Sequence, residues 1–441
     1  MDGTDRLTGH YILFFSQEYI YIMSFFEFNP HLLGLADAAL AKCADKFAEI
    51  DRITEYNQQK VLRAFIDNRV CEADFVATTG YGYGDRGRET ADKVCAQIYG
   101  AQSAIISTSF ASGTHTLATM LFGVLRPGDI MLSVTGTPYD TIRPVIGLKG
   151  KDGQGSLKDF GVTYKEVALL PDGKVDFDGI AEAVKELKPK CVYIQRSRGY
   201  TLRASLGVDE IDRIAVLTKE ISPETLVLVD NCYGEFVEKD EPVGRHADLM
   251  GGSLIKNPGA GIARCGGYIC GREDLVELVS YRMTTPGTGR EIGATLGTNR
   301  ELLMGMFSAP HVTGEALKTA VFTAALFEEM GYAASPASNE ARHDIIQSLC
   351  LETPEKLCAF CRGLQSGSPV DSFVTPEPWD MPGYDNQVIM AAGAFTNGSS
   401  IELSADAPLR EPFAVWLQGG LNFHSAKLGV MLGAREVLKS D

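Results

Sequence analysis

The sequence predicts an α/β protein: a largely parallel sheet covered by helices on both faces, followed by a smaller α+β domain. Three observations carry this reading. Short, continuously apolar runs such as Cys191–Gln195 and Leu226–Asp230 alternate with helical stretches such as Ile180–Leu187 and Ile211–Glu220. Runs of that kind suit strands buried on both faces, which crossover helices produce. Near residue 310 the composition shifts, and strand candidates group together instead of alternating.

Along the chain, residues 1–22 read as an extension ahead of Met23. Tyr11–Phe15 and Tyr19–Phe26 are apolar, but Ser16, Gln17 and Glu18 interrupt them. Neither run reaches the roughly 20 residues a membrane helix needs. Residues 23–75 form a helical segment, with Leu32, Leu33, Leu35, Ala36 and Leu40 at turn spacing. The large domain is expected over 76–310. Its first helix places Ala91, Val94, Cys95, Ile98 and Tyr99 on one face. Ala104–Ile106, Ile130–Val134, Cys191–Gln195, Leu226–Asp230 and Gly267–Cys270 are its strand candidates, and Thr114–Leu125 is a further helix. The small domain, 311–441, is expected to hold a helix over Gly314–Met330 and strands over Ile345–Leu351, Val388–Ala394 and Ile401–Ser404. Helices Glu355–Leu364 and Leu421–Leu438 complete it, and the proline-rich stretch 366–386 reads as a rigid loop.

The chain of 441 residues carries 41 basic and 57 acidic side chains, a formal charge of −16. That balance argues against general nucleic-acid or anionic-membrane binding, both of which need a positive footprint, and leaves room for a local basic pocket. Ten cysteines in a chain this long do not make a disulfide framework, so a reducing, cytoplasmic location is expected. Cys358 and Cys361 form one CxxC with no second pair, so no metal site is expected; they read as core residues one helical turn apart.

Several motifs point toward chemistry, and each has a plainer reading. Gly82-x-Gly84-x-x-Gly87 matches the dinucleotide fingerprint formally, but Cys71–Thr79 is a poor strand to precede it. A flexible loop is the better reading, although Arg86 and Arg88 beside Tyr81 and Tyr83 make it a good anion clamp. Ser112-Gly113-Thr114 lies between a strand and a helix and offers a phosphate seat; alone it reads more simply as an N-cap. Asp230 ends an apolar strand, where open α/β sheets bind ligands, but a lone aspartate there serves equally well as a turn or cap. Lys256 follows Ser253-Leu-Ile amid small residues that leave room for a bulky ring. A lone lysine is normally a solvated side chain, whereas a desolvated one has a lowered pKa and can form a Schiff base. Tyr139, after Ile130–Val134, reads equally as a turn tyrosine or a ring-stacking one.

Taken together the motifs are far more specific. A phosphate seat, a strand-end aspartate and a serine three residues before a lysine appear in that order, the lysine 26 residues after the aspartate. Pyridoxal 5'-phosphate needs this set: a lysine for its aldehyde, an acid for its pyridine nitrogen, and hydroxyl and amide donors for its phosphate.

The chain also resembles the methionine gamma-lyase-like, "aluminium resistance protein" family of pyridoxal-phosphate enzymes, relatives of the cystathionine-synthase-like fold-type I group. The stretches TTGYGYGDRGRET, SGTH, SVTGTPYDT, IQRSRGY, VDNCYGEF, ADLMGGSLIKNPG, VTPEPWDMPGYD and SSIELSADAPLREP carry the resemblance, from about residue 25 to the end. It implies fold type I, with a seven-stranded type of sheet, and a carbon–sulfur lyase acting by β- or γ-elimination on a methionine-, cystathionine- or cysteine-like amino acid. It implies Lys256 as the Schiff-base lysine and Asp230 as the partner of the pyridinium. Gly113, Thr114 and Ser253 would bind phosphate, with Ser112 close by. Tyr139 would stack on the ring and protonate the leaving thiol. Tyr83 and Arg86 would reach the neighbouring subunit's phosphate, which implies a homodimer or homotetramer with shared active sites. Glu402 stands where better-known gamma-lyases carry an arginine for the substrate carboxylate, so Arg410, Arg196 and Arg198 are the candidates for that role. Other pyridoxal-phosphate chemistry, of aminotransferase or aldolase type, and an NAD-binding oxidoreductase built on Gly82–Gly87 stay open at this point.

Overall fold

The computed structural model describes residues 25–381 and 386–440. The expectations for residues 1–22 and for Met23 lie outside the described residues. Helix α1 (Pro30–Asp67) starts where the Asn29 side chain accepts the Leu32 N–H and Pro30 takes the first turn, both standard helix openings. Its buried stripe, which includes Leu32, Ala36, Ala39 and Cys43, follows the helical period. The residues before α2 (Arg86–Tyr99) form a 3-10 turn, Glu72–Phe75, and a loop, not a strand. The Gly82–Gly87 stretch therefore lacks the strand that a dinucleotide fingerprint requires.

The large sheet follows. In chain order its elements are β1 (Ser103–Ser107), α3 (Gly113–Val124), β2 (Ile130–Ser133), α4 (Ile142–Ile146), β3 (Thr163–Glu166), α5 (Phe177–Leu187) and β4 (Cys191–Gln195). Then come α6 (Val208–Ile221), β5 (Leu226–Asp230), β6 (Leu249–Ser253), β7 (Gly267–Gly271) and α7 (Glu273–Met283). The strand order is β1-β7-β6-β5-β4-β2-β3. Strands β2 to β6 pair in parallel, and β7 is antiparallel to both β6 and β1. Six strands therefore point one way, and their carboxyl ends share one edge.

Strand periodicity divides the core into two layers. Val227 and Val229 of β5 join the layer that contains α1, α2, α5 and α6 residues. Leu226 and Leu228 join the layer beneath α3, α4 and α7. By the same alternation Asp230 belongs to the α3 face.

Helix α8 (Asn299–Glu329) runs unbroken through Pro310 and past the expected 310/311 boundary. Beyond it lie β8 (Ala333–Ser335), β9 (Gln347–Cys350), α9 (Pro354–Ser366), β10 (Val388–Ala391), β11 (Ser404–Pro408), β12 (Ala414–Gln418) and α10 (Phe423–Lys439). The small sheet, ordered β10-β11-β12-β9-β8, is wholly antiparallel; α9 packs against β10 and β11, and α10 packs on α9 and α8. Cys358 and Cys361 sit one turn apart on α9.

The differences from expectation have physical reasons. Strand β3 is a largely exposed edge, Thr-Tyr-Lys-Glu, with no apolar run to betray it. Strand β6 ends in Gly-Gly-Ser, a poor strand former by propensity, yet is fully buried between β5 and β7. The expected strand Ile401–Ser404 begins only at Ser404. Its partner β12 ends at Gln418, opposite Ser404, and Gly419 and Gly420 leave strand geometry at φ +78° and +128°, so that beyond it the segments are joined by the bond from Gly420 N–H to the Ile401 carbonyl at 2.8 Å and not by a ladder. Residues 401–403 are left without a ladder partner.

Candidate active site

The site forms at the carboxyl edge of the large sheet, where ligands of open α/β folds bind. A cavity of about 190 Å³ opens there, and its wall includes Ser112, Gly113, Thr114, Tyr139, Asp230, Ser253 and Lys256. Seven of the expected site residues thus come together, from the carboxyl ends of four strands, β1, β2, β5 and β6, and the segments that follow them.

Helix α3 begins at this cavity. The Ser112 hydroxyl accepts the His115 N–H at 3.1 Å, and the Thr114 hydroxyl donates to Thr141 at 2.7 Å. A helix start carries unpaired N–H groups and partial positive charge, so it suits an anion. Residue 113 has to be small: a Cβ there would lie 3.1 Å from the Ser253 Cβ. The close approach brings the Ser253 hydroxyl, at the end of β6, to the same spot as the helix start.

Asp230 is 6% exposed. Burial raises its pKa, while the nearby Lys256 charge opposes that rise. The Cys232 N–H donates to its Oδ1 at 3.2 Å. Lys256 projects into the cavity from a 3-10 turn after β6, and its ammonium lies 3.8 Å from the centre of the Tyr233 ring. The expected lowering of the Lys256 pKa is not what this environment produces. Burial does push it down, but the acidic groups that face the amine, Asp230 among them, outweigh that and raise it.

Tyr139 is set by its backbone N–H, which donates to the Gln195 side chain at 2.7 Å. Its ring lies 5.9 Å from that of Tyr200, which lies 5.6 Å from Trp416 of β12. The Tyr200 hydroxyl donates to Asp406 of β11 at 2.7 Å, and the Trp416 indole donates to the Thr201 carbonyl. The small domain thereby grips the loop after β4 and closes one side of the cavity.

The three candidate arginines part company. Arg198 lines a second, more polar cavity of about 130 Å³, together with Arg143 and Arg410; Tyr139 and Tyr200 border both cavities. Arg410 is exposed at its rim, and Arg198 is buried, donating to Ser335 and its carbonyl. Arg196 corrects the expectation: it lines neither cavity. Its guanidinium is fully buried and pairs with Glu238 at 2.7 Å and Glu241 at 3.3 Å. It also donates to Asn231, beside Asp230, so it supports the loop that follows β5. Glu402, too, faces away from the cavity, accepting the Phe395 and Thr396 N–H groups.

Tyr83 and Arg86 are not brought to this cavity. Tyr83 is exposed and stacks on Tyr81, and the Arg86 Nε donates to the buried Asp74 at 2.8 Å. Gln195, Cys232, Tyr233 and Tyr200 also line the cavity, and no motif singled them out individually. Three of them sit within three residues of a strand end that the apolar runs did reveal.

Residues 32–438 match the model of a family described as methionine gamma-lyase. The chain belongs to the methionine gamma-lyase family. A Listeria monocytogenes structure described as a proposed cystathionine beta-lyase involved in aluminum resistance is 46% identical. The match covers 92% of this chain and all of that one, with a TM-score of 0.90. A Clostridium novyi carbon–sulfur lyase involved in aluminum resistance is 48% identical, covering 92% of this chain and 96% of that one, with a TM-score of 0.89. The Bacillus subtilis protein YnbB is 47% identical over 379 residues, 86% of this chain and 90% of its own.

As a member of the methionine gamma-lyase family the chain is a carbon–sulfur lyase, and its cofactor is pyridoxal 5'-phosphate. The nicotinamide alternative on Gly82–Gly87 is set aside by this membership and by the missing strand. The cavity fits the cofactor on its own chemistry. A cradle of N–H and hydroxyl donors closed by Gly113, a buried carboxylate and a lysine reaching the same space are what its phosphate, ring nitrogen and aldehyde require. Among the described residues no helix is long and apolar enough to cross a membrane.

Proposed function

We propose that this lyase eliminates a thiol from the β or γ carbon of a sulfur-containing amino acid, with Lys256 as the residue that holds the cofactor and moves protons. The observation that supports this is the convergence of Lys256, Asp230 and the start of α3 on one cavity. When bound, pyridoxal phosphate supplies an electron sink for the charge left on the substrate α-carbon. The α3 N-terminus, with Ser112, Gly113, Thr114 and Ser253, would hold the phosphate. Asp230 would pair with the ring nitrogen and favour its protonated form. Lys256 would hold the aldehyde and, as a free amine, would take the α-proton and carry protons onward. Tyr139 would stack on the ring and give a proton to the departing sulfur. Arg198 and Arg410, in the adjoining cavity, draw the substrate carboxylate; Arg196 is structural. Tyr83 and Arg86 act on the neighbouring subunit's phosphate in a homodimer or homotetramer.

The test is direct. Purified holoenzyme should show a visible cofactor band and release thiol and keto acid from one or more of a panel of amino-acid thioethers. Lys256→Ala should lose both. A band that survives in Lys256→Ala, or amino transfer without thiol release, overturns the reading.

A further inference from the structure

Tyr233 has three features that the elimination reading leaves unused. Its ring face lies 3.8 Å from the Lys256 ammonium, closer than the roughly 6 Å within which a cation is attracted by an aromatic ring. Its backbone has φ +73°, a left-handed conformation that a bulky residue adopts only when its surroundings impose it. The Asn257 side chain donates to the Tyr233 carbonyl at 3.0 Å and to the Glu235 carbonyl at 2.9 Å. Asn257 is fully buried and directly follows Lys256. One amide therefore locks the loop that carries the ring to the turn that carries the lysine. The next residue has no room for a side chain, because a Cβ at Gly234 would lie 2.4 Å from Arg196 Cδ. The ring itself packs against Ile346, Ala414 and Trp416 of the small domain.

We propose that Tyr233 is a positioning residue for Lys256: its ring face is the seat that holds the lysine as an ammonium once it has taken up the α-proton. The inference rests on the reading of Lys256 as the proton-carrying lysine. A seated ammonium has a fixed place from which to deliver a proton, and the ring stabilises the charged form without offering a competing base. Asp230, Cys232 and Glu235 also face Lys256, and Tyr139 borders the same cavity. All stay constant when only the ring is changed, so a graded change at 233 isolates its contribution.

The experiment replaces Tyr233 with phenylalanine and then with mono-, di- and trifluorophenylalanine. The series keeps the shape and drains the π face stepwise. Two readouts are taken on each full-length protein: the pH profile of kcat of the holoenzyme, and the rate at which Lys256 is acylated against pH after the cofactor is removed, followed by mass spectrometry. Tyr233→Phe should match the wild type. Across the fluorinated series the Lys256 pKa should fall stepwise, by about one unit in all. A pKa that stays level along the series overturns the proposal. So does a drop at Tyr233→Phe as large as the whole series, because the hydroxyl would then be the active part. Absence of thiol release from every thioether sinks the elimination reading, while the acylation profile still decides the role of Tyr233.

Discussion

Arg196 and Glu235 show how single residues behind the cavity hold it in shape. Both belong to a buried network with Asn231, Glu241 and Tyr268: Asn231 donates to Glu241 at 3.0 Å, and the Tyr268 hydroxyl donates to Glu235 at 2.8 Å. Removing one partner of a buried ion pair leaves the other charge without compensation. Arg196→Met should therefore destabilise the protein by about 3 kcal/mol, measurable by chemical denaturation, and a change within the error of the wild type would refute the supporting role. Glu235 behaves differently. Burial pushes its pKa up to about 8, so it is neutral in the fold at pH 7, whereas the unfolded chain ionises it at the ordinary carboxylate pKa. The unfolded state binds fewer protons between those two values, so stability is greatest below the lower one and is lost as pH rises toward about 8. Thermal melts from pH 5 to 8 should show a smaller decline in Glu235→Gln than in the wild type. Parallel declines would show that Glu235 is not the group responsible.

At the level of elements, the start of α3 does two jobs that can be separated. Ser112 caps the helix through the His115 N–H, and it stands on the cavity wall where phosphate is expected. Ser112→Ala removes the cap and should cost about 1 kcal/mol. Ser112→Asp keeps a good cap but sets a negative charge beside the phosphate. It should hold the wild-type Tm of the cofactor-free protein while binding pyridoxal phosphate more weakly, as read by titration of the visible band. Unchanged cofactor affinity in Ser112→Asp would mean that the phosphate lies elsewhere. The same scale explains which elements were legible. Strands β4 and β5 announced themselves because both faces are buried, so every residue is apolar until the functional one at the end. Strand β3 has an exposed edge and β6 a glycine pair, and their membership in the sheet depends on neighbours that no local window contains.

At the scale of the whole molecule, the surface that carries Tyr83 and Arg86 is separate from the cavity of its own chain. If these residues complete a neighbour's site, two defective chains should rescue one another. Lys256→Ala and a Tyr83→Ala/Arg86→Ala double variant, each inactive alone, should regain about a quarter of the wild-type activity after unfolding and refolding together, the statistical share for random pairing in a two-fold dimer. No recovery, with mixed oligomers verified by mass, would overturn the shared-site arrangement. The small domain acts at this scale too, since Trp416 and Asp406 hold the Tyr200 loop against the cavity.

The linear sequence was enough to establish the fold class and the identity of the cofactor, and it singled out Ser112, Gly113, Thr114, Tyr139, Asp230, Ser253 and Lys256, which meet at one cavity. Their chemistry is written in residue type and order, and strand ends are marked by where burial stops. It could not separate Arg196 from Arg198, two positions apart in one strand-end loop. Which of them meets Glu238 and the buried Glu241 and which borders a cavity depends on side chains 40 to 150 residues away. Nor could it reveal that Tyr233 lies under Lys256, because a left-handed backbone and a clamping amide arise only once the loop is packed between Arg196 and the small domain. Local chemistry is a property of residues, whereas direction and distance are properties of the packed whole.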